Sequence, residues 1–283
     1  MDSSKVLTGC GIGCAVLVAL ILLVSGIGYF FVRDTVSQFE KMGESIDQLE
    51  KDMGEVTDYV PGSDGKIPSD RIEAFLEIRS QMQEMRRDME DGLLSFSDDI
   101  NELEEEGASF FRVIRLIGKG ISGIPFLVEF YAERSRIQLE QGMSQGEYYY
   151  LYVIIYPCWL QKSLEDGPEF RLAGDSRDGD LRKDEDVYRE RKERYLRQIR
   201  RTFKAFLKNQ LDAARSLPET PENTEWIQDL NRELVALQDS YDRLPWQDGL
   251  PEVISSSLEP FRSELIDSYS RLVNPIELGL DDD

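Results

Sequence analysis

Two segments of the sequence carry residues whose types and spacing could support binding chemistry. The first is the aromatic run "YYYLYVIIYPCW", residues 148–159, whose phenols and indole are typical of ligand pockets as well as of packed cores. The second is "DSRDGDLRKDE", residues 175–185, whose acidic spacing partly matches a calcium-binding loop. Gly174 stands where the first aspartate of such a loop must be. We therefore interpret the second segment as a solvated acidic loop and predict no metal site.

The residue types that are missing exclude whole classes of active site. The sequence has no histidine, which excludes Ser-His-Asp and Cys-His nucleophilic chemistry, histidine-containing zinc sites and histidine-ligated haem. Two of its three cysteines, Cys10 and Cys14, lie in an apolar segment, so only Cys158 remains for the rest of the chain. No constellation of aspartate and glutamate stands out from ordinary surface charge. We therefore predict that the protein is not an enzyme and binds no cofactor.

Within the aromatic run, Tyr152, Tyr156 and Trp159 are the residues that would line a pocket for a small ligand. Such residues more commonly fill a core, where each hydroxyl bonds a neighbouring carbonyl or carboxylate, and we favour this interpretation. Ser144 and the glutamate three residues later have the spacing of a capping box, and no second strand signal accompanies the run. The run is therefore predicted to be a buried helix that kinks or ends near Pro157.

A second amphipathic segment, residues 107–128, has no acidic residue although the whole chain carries a net charge of -22. Its Arg112, Arg115 and Lys119 fall on one helical face, a pattern typical of contact with lipid phosphates at a membrane surface. The same pattern occurs in ordinary surface helices that meet an acidic neighbour, and this alternative is the more common one. The negative charge of the whole chain argues against nucleic acid as a partner.

The elements that would position these residues begin with an uncharged segment over residues 6–32. At about 1.5 Å per residue, this segment is long enough to cross a bilayer core of about 30 Å. We predict a short N-terminal tail over residues 1–5 and a single, uncleaved transmembrane helix over 6–32. Lysine and arginine are nearly balanced at its two ends, so the short N-terminal flank decides the predicted orientation, with the C-terminal domain outside the cytoplasm.

Residues 33–60 continue with apolar residues at alternating intervals of three and four, which is the pattern of a left-handed coiled coil. The seam of this predicted stalk consists of Phe39, Met42, Ile46, Leu49, Met53 and Val56. Such a seam can join two copies of the chain or bind a partner helix. It can equally pack against the rest of its own chain, and the pattern leaves these alternatives open.

The break "PGSDGKIP" separates the stalk from the rest of the chain. Helical periodicity then predicts a helical domain with the buried aromatic helix over 69–164 and an acidic linker or loop over 165–186. A helical hairpin or bundle region is predicted over 187–274, in which Thr220 and Pro221 are predicted to be the cap and the first residue of a helix. Residues 275–283 are predicted to form a short acidic tail. The fold class is therefore all-α: a single transmembrane helix, a coiled-coil-like stalk and an irregular multi-helix bundle.

Two stretches, "DYVPGSDGKIPSDRIEAFLEIR" and "GMSQGEYYYLYVIIYPCWL", are similar to a group of uncharacterised, single-span, helical proteins anchored in bacterial membranes. The resemblance implies a bacterial envelope setting, which we specify as the inner membrane, and it implies no activity. We therefore expect a non-enzymatic, membrane-anchored scaffold or tether that presents its bundle to a protein partner or associates with itself through helices. The alternative is a membrane-anchored sensor or regulator that binds a small ligand in its aromatic-lined core.

Overall fold

The structure is a computed structural model that describes residues 48–92, 94, 129–167 and 185–278. Within these residues every regular element is helical, which confirms the all-α fold class. Several residues singled out in the sequence fall outside the described part of the chain, namely Phe39, Met42, Ile46, Arg112, Arg115 and Lys119. The predictions made for those residues therefore stay predictions.

The membrane location predicted from the sequence is corrected by the structure. Among the described residues, no helix is both long enough and apolar enough to cross a bilayer. The helix Glu185–Arg215 has the necessary length, but charged residues cover much of its surface. This finding contradicts the single-pass location at a bacterial inner membrane. Residues 6–32, on which that prediction depended, lie outside the described residues.

The described helices are numbered in chain order. The longer ones are α1 (Ser69–Gln81), α2 (residues 83–92), α3 (residues 129–140), α4 (Gln145–Val153), α5 (Glu185–Arg215) and α6 (Pro221–Asp239). Three short helices follow, namely α7 (Glu252–Leu258), α8 (Arg262–Asp267) and α9 (Asn274–Leu278). Tighter or wider helical turns occur at Val56–Asp58, Ile154–Trp159 and Glu259–Phe261.

The aromatic helix α4 lies at the centre of the bundle, and each of residues 148–156 is at most 3% exposed. A helix that is apolar on all sides must be enclosed by other elements, which accounts for this position. Ser144 caps its start, because the Ser144 hydroxyl accepts a 3.0 Å hydrogen bond from the backbone N–H of Glu147. Beyond Val153 the helix widens into a π-helical turn that contains Pro157, whose nitrogen has no hydrogen to donate.

Helices α5 and α6 pack around this centre. In α5, the ring of Phe203 stacks on Tyr150 with 5.6 Å between the centroids. Helix α6 begins as the sequence predicts, since the Thr220 hydroxyl accepts a 3.1 Å hydrogen bond from the N–H of Asn223, and Pro221 occupies the first helical position. One hydrophobic core contains residues from both predicted helical regions, 69–164 and 187–274.

The predicted stalk over 33–60 departs from a continuous helix near its end. The helix that includes residues 48–53 stops at Gly54, whose φ of 85° is readily adopted only by glycine. The next residues form the turn Val56–Asp58, and Val56 packs against the core of its own chain. Leu49 is fully buried and Met53 is half-buried. The last part of the predicted seam therefore packs within the chain rather than continuing as a stalk.

Replacing Gly146 with alanine should destabilise the fold at the contact between α4 and the Val56–Asp58 turn. A Cβ at position 146 would lie 2.3 Å from the carbonyl oxygen of Val56 and 2.7 Å from Cβ of Tyr59. Because backbone must move to relieve this overlap, we expect Gly146→Ala to lower the free energy of unfolding by about 1–3 kcal/mol in urea titrations. Gly92→Ala is the matched control, since a Cβ there has no neighbour within 4 Å. Equal effects of the two substitutions would contradict this account.

Candidate functional site

The charged side chains of the core converge on Glu277 in the short helix α9. One carboxylate oxygen, Oε1, accepts a 2.6 Å hydrogen bond from Nη1 of Arg79. The other, Oε2, accepts bonds from Nη1 of Arg134 at 3.0 Å and from the hydroxyl of Tyr148 at 3.1 Å. All four side chains belong to residues that are at most 3% exposed. We call Arg79, Arg134, Tyr148 and Glu277 the Glu277 network.

Arg79 reaches this network because it lies on the apolar face of its helix. One series of buried residues in α1, α2 and the turn between them recurs at intervals of three and four, with Ala74 and Ile78 buried beside it. This series is Ile72, Phe75, Arg79, Met82, Arg86 and Met89. The guanidinium of Arg79 lies 5.4 Å from the ring centroid of Tyr152 and 5.2 Å from that of Tyr156. Its Nε and Nη2 both donate to the carbonyl oxygen of Ser268, at 3.1 and 2.6 Å. The side chain thus crosses the core from α1 to the C-terminal region.

Arg134 enters the network from α3. Its guanidinium lies 4.9 Å from the ring centroid of Tyr131 and 5.4 Å from that of Tyr148, distances at which a cation is attracted to the face of an aromatic ring. Arg134 and Arg79 bond different oxygens of Glu277. The single carboxylate is therefore shared by two buried guanidinium groups, which arrive from different helices.

Tyrosine hydroxyls hold the backbone of the same C-terminal segment. Tyr131 of α3 donates to the carbonyl oxygen of Ile276 at 2.8 Å, and Tyr195 of α5 donates to that of Pro275 at 3.1 Å. These bonds satisfy carbonyl groups for which a short helix has no partner of its own. Residues 275–278, predicted as the start of an acidic tail, are instead buried in the bundle. Their apolar side chains belong to the hydrophobic core, and the carboxylate of Glu277 forms ion pairs there.

The electrostatic surroundings keep Glu277 ionised. Burial alone would raise its pKa, but the positive charges of Arg79, Arg134 and Arg86 outweigh burial and lower it. Burial, together with the negative charge of Glu277, raises the pKa of Tyr148 to about 12. The Tyr148 hydroxyl therefore remains protonated at neutral pH and donates its hydrogen to the carboxylate. At neutral pH the network therefore holds an ionised carboxylate against two guanidinium groups and a protonated phenol.

The predicted aromatic residues occupy two different environments. Tyr152 and Tyr156 are fully buried, with 4.7 Å between their ring centroids. Their hydroxyls are engaged, because that of Tyr152 donates to Oδ1 of Asn274 at 2.9 Å and that of Tyr156 shares a 2.7 Å hydrogen bond with Ser268. Trp159 is half-buried instead.

The half-buried indole of Trp159 lies beneath an arginine of α8. The guanidinium of Arg262 is 4.3 Å from its ring centroid. Its environment therefore differs from that of Tyr152 and Tyr156, whose hydroxyls bond residues of the C-terminal region. Trp159 is therefore partly exposed, whereas Tyr152 and Tyr156 are enclosed by the bundle.

Sequence reasoning missed Arg79, Arg86, Arg134 and Glu277. A signal was present for the first two, since both continue the spacing of buried residues along α1 and α2. Arginine is ordinarily a surface residue, so the spacing by itself does not indicate that these two side chains are buried. Glu277 carries no local signal, because it lies in a short acidic stretch and its arginine partners are 198 and 143 residues away in sequence.

The network offers positive charge and N–H donors held in fixed positions. Guanidinium groups of this kind bind oxyanions or hold segments of a chain together. Among the described residues, no group of three or more cysteine, aspartate and glutamate side chains is placed to hold a metal ion. Burial, helped by the charge of Glu233, raises the pKa of the Cys158 thiol, which is therefore protonated at neutral pH.

Fold and site together define an all-helical bundle whose centre contains a buried network of ion pairs. The chain matches no protein-family model, no curated protein and no solved structure. The resemblance to membrane-anchored bacterial proteins therefore stays a prediction.

Proposed function

We propose that the protein is a non-enzymatic helical scaffold that presents the outer face of α6 to a protein partner. The observation that carries this proposal is the exposure of apolar side chains there: Val235 is 54% exposed and Tyr241, just beyond the helix, is 81% exposed. Ile227 and Leu234 of the same helix are half-buried and pack against the core. A helix that buries one face in the core and exposes apolar residues on another is suited to docking a second helix.

The charge of this surface indicates the chemistry of the partner. Exposed acidic residues of α6 and the turn after it include Glu222, Glu225, Asp239 and Asp242. Arg232 is the only basic residue of the helix, and its guanidinium bonds Asp229 at 2.7 Å. The surface therefore combines apolar side chains with negative charge. A helix with an apolar stripe flanked by lysine and arginine would complement it.

The Glu277 network supports the same proposal through rigidity. It joins α1, α3 and α4 to the C-terminal helix with hydrogen bonds that are shielded from water. A surface carried by a preorganised bundle loses little conformational entropy when it binds, so more of the contact energy appears as affinity. The alternative of a small ligand among the aromatic rings has less support, because the hydroxyls of Tyr152 and Tyr156 already bond residues of the bundle.

Val235→Glu should weaken binding of the partner. The substitution places a charge among apolar contacts that are worth about 1.5–3 kcal/mol for one buried side chain, so affinity should fall by about tenfold or more. A photo-crosslinking amino acid at position 235 of the full chain, expressed in its native host, should first give a discrete adduct that mass spectrometry identifies. Titration calorimetry with the purified partner then measures the effect of Val235→Glu, and sedimentation velocity shows whether the partner is a second copy.

Gln83→Glu is the matched control, because it adds the same charge at an exposed, uncharged position of α2. It should leave the affinity unchanged, and a crosslinker at position 83 should give no adduct of that mass. Identical adducts from positions 83 and 235, or equal loss of affinity in both variants, would contradict the assignment of the docking face to α6.

A further inference from the structure

A third buried arginine, Arg86, lies beside the Glu277 network. Arg86 of α2 is 6% exposed, and its buried Nη1 has no hydrogen-bond partner among the described residues. The Nε of Arg134, which is also buried, has no partner within the described part of the chain either. A buried donor without a partner lowers the free energy of unfolding by about 1–3 kcal/mol, and by more when it is charged. Arg86 and Arg134 both interact with Glu277 and with Tyr148, so their unpaired donors belong to one cluster of buried charges.

Counted over the described residues, the buried charges around Arg86 have a positive sum. Arg79, Arg86 and Arg134 are buried cations, whereas Glu277 is the carboxylate that interacts with all three. No described carboxylate lies within ion-pair distance of Arg86. Glu90, one turn further along α2, bonds the hydroxyl of Ser270 instead. Burial and the charge of Arg79 lower the pKa of Arg86, as expected for a cation whose charge is not compensated.

We propose that Arg86 and Arg134, beside the Glu277 network, form a binding site for a small divalent oxyanion of the phosphate class. Guanidinium groups donate N–H hydrogens to phosphate oxygens, and Nη1 of Arg86 and Nε of Arg134 are unpaired donors of this kind among the described residues. Three buried cations against one carboxylate leave two positive charges, which a dianion neutralises. This site goes beyond the scaffold function and does not depend on it, because the outer face of α6 is formed by other residues.

The test is a titration of the full chain with inorganic phosphate at constant ionic strength, with chloride as the reference salt. Calorimetry should show saturable binding of one ion per chain, and the melting temperature should rise with phosphate concentration. A parallel titration with glycerol phosphate separates the sources of the ligand. Tighter binding of the free ion identifies the ion itself, whereas tighter binding of the ester identifies a phosphate group on a larger molecule.

Arg86→Met should weaken phosphate binding by about tenfold to a hundredfold, the loss expected for hydrogen bonds to a charged group. Without phosphate, the variant should melt no lower than the wild type, because an uncompensated buried charge has been removed. Arg86→Lys keeps the charge but replaces the planar guanidinium with an ammonium group. Its affinity for phosphate should therefore lie between that of the wild type and that of Arg86→Met. Arg87→Met, at the exposed neighbouring position, is the matched control and should bind phosphate normally.

Three results would overturn this proposal. The first is the absence of saturable phosphate binding by the wild type, and the second is an equal loss of affinity in Arg86→Met and Arg87→Met. The third concerns the glutamates at residues 104–106, which lie outside the described residues. If phosphate bound only after all three were replaced by glutamine, the chain itself would supply the anion. Crosslinking from position 235 would be unaffected by any of these results, so the scaffold proposal is tested separately.

Discussion

Replacing Glu277 with glutamine should lower the free energy of unfolding by about 3–5 kcal/mol, because it leaves two buried guanidinium groups without their carboxylate. Glutamine has almost the same shape as glutamate, so the change removes the charge without opening a cavity. Arg79 is fully buried and Arg134 nearly so, and neither can turn to water in place of Glu277. Urea titration of the purified chain, followed by helical circular dichroism, measures the effect.

Glu264→Gln is the control for this prediction. Glu264 is exposed on α8 and makes no ion pair among the described residues, so its replacement should change the free energy of unfolding by less than about 0.5 kcal/mol. A loss below about 1 kcal/mol for Glu277→Gln would mean that the arginines find other partners, and it would contradict the assigned role of the Glu277 network.

The second large effect is a loss of stability in acid that depends on Glu277. Its pKa in the folded chain lies below the ordinary value of 4.5, because the arginines outweigh the effect of burial. The unfolded chain therefore takes up the proton more readily than the folded chain. The stability contributed by Glu277 is fully present above the unfolded value and is lost as the pH falls through the folded pKa.

Urea titrations of the wild type and of Glu277→Gln over a series of pH values isolate this contribution from that of the other carboxylates. The difference in free energy of unfolding should be constant near neutral pH and should shrink towards zero in strong acid, where Glu277 itself is uncharged. A difference that did not vary with pH would show that the carboxylate charge is not what stabilises the folded state.

The parts of the fold that were predicted correctly are those specified by neighbouring residues. Ser144 and Thr220 each bond a backbone N–H three residues ahead, so the starts of α4 and α6 can be read from a few adjacent positions. The uniformly apolar character of residues 148–156 indicates a central helix for the same reason. Local sequence therefore defines the main helices of the bundle.

Two features were not predicted: the end of the helix at Gly54 and the burial of Glu277. In the first, a glycine overrides the apolar spacing around it, and in the second, the interacting residues are distant in sequence. The seam pattern continues through Val56, but the positive φ of Gly54 ends the helix before it. Glu277 can be buried because Arg79 and Arg134 form ion pairs with its carboxylate, and both arginines are far away in sequence. Periodicity and composition carry no information about such pairings. The site could therefore be recognised only from the folded chain.

A double-mutant cycle between Arg79 and Glu277 tests most directly the claim that their ion pair holds the C-terminal helix in the bundle. The free energies of unfolding of Arg79→Met, Glu277→Gln and the double variant are compared with that of the wild type. We expect the double variant to be more stable than the sum of the single losses predicts, by about 2 kcal/mol or more, because removing the second partner relieves an unpaired buried charge. Single losses that add to within about 0.5 kcal/mol would show that the two residues act independently and would contradict the account.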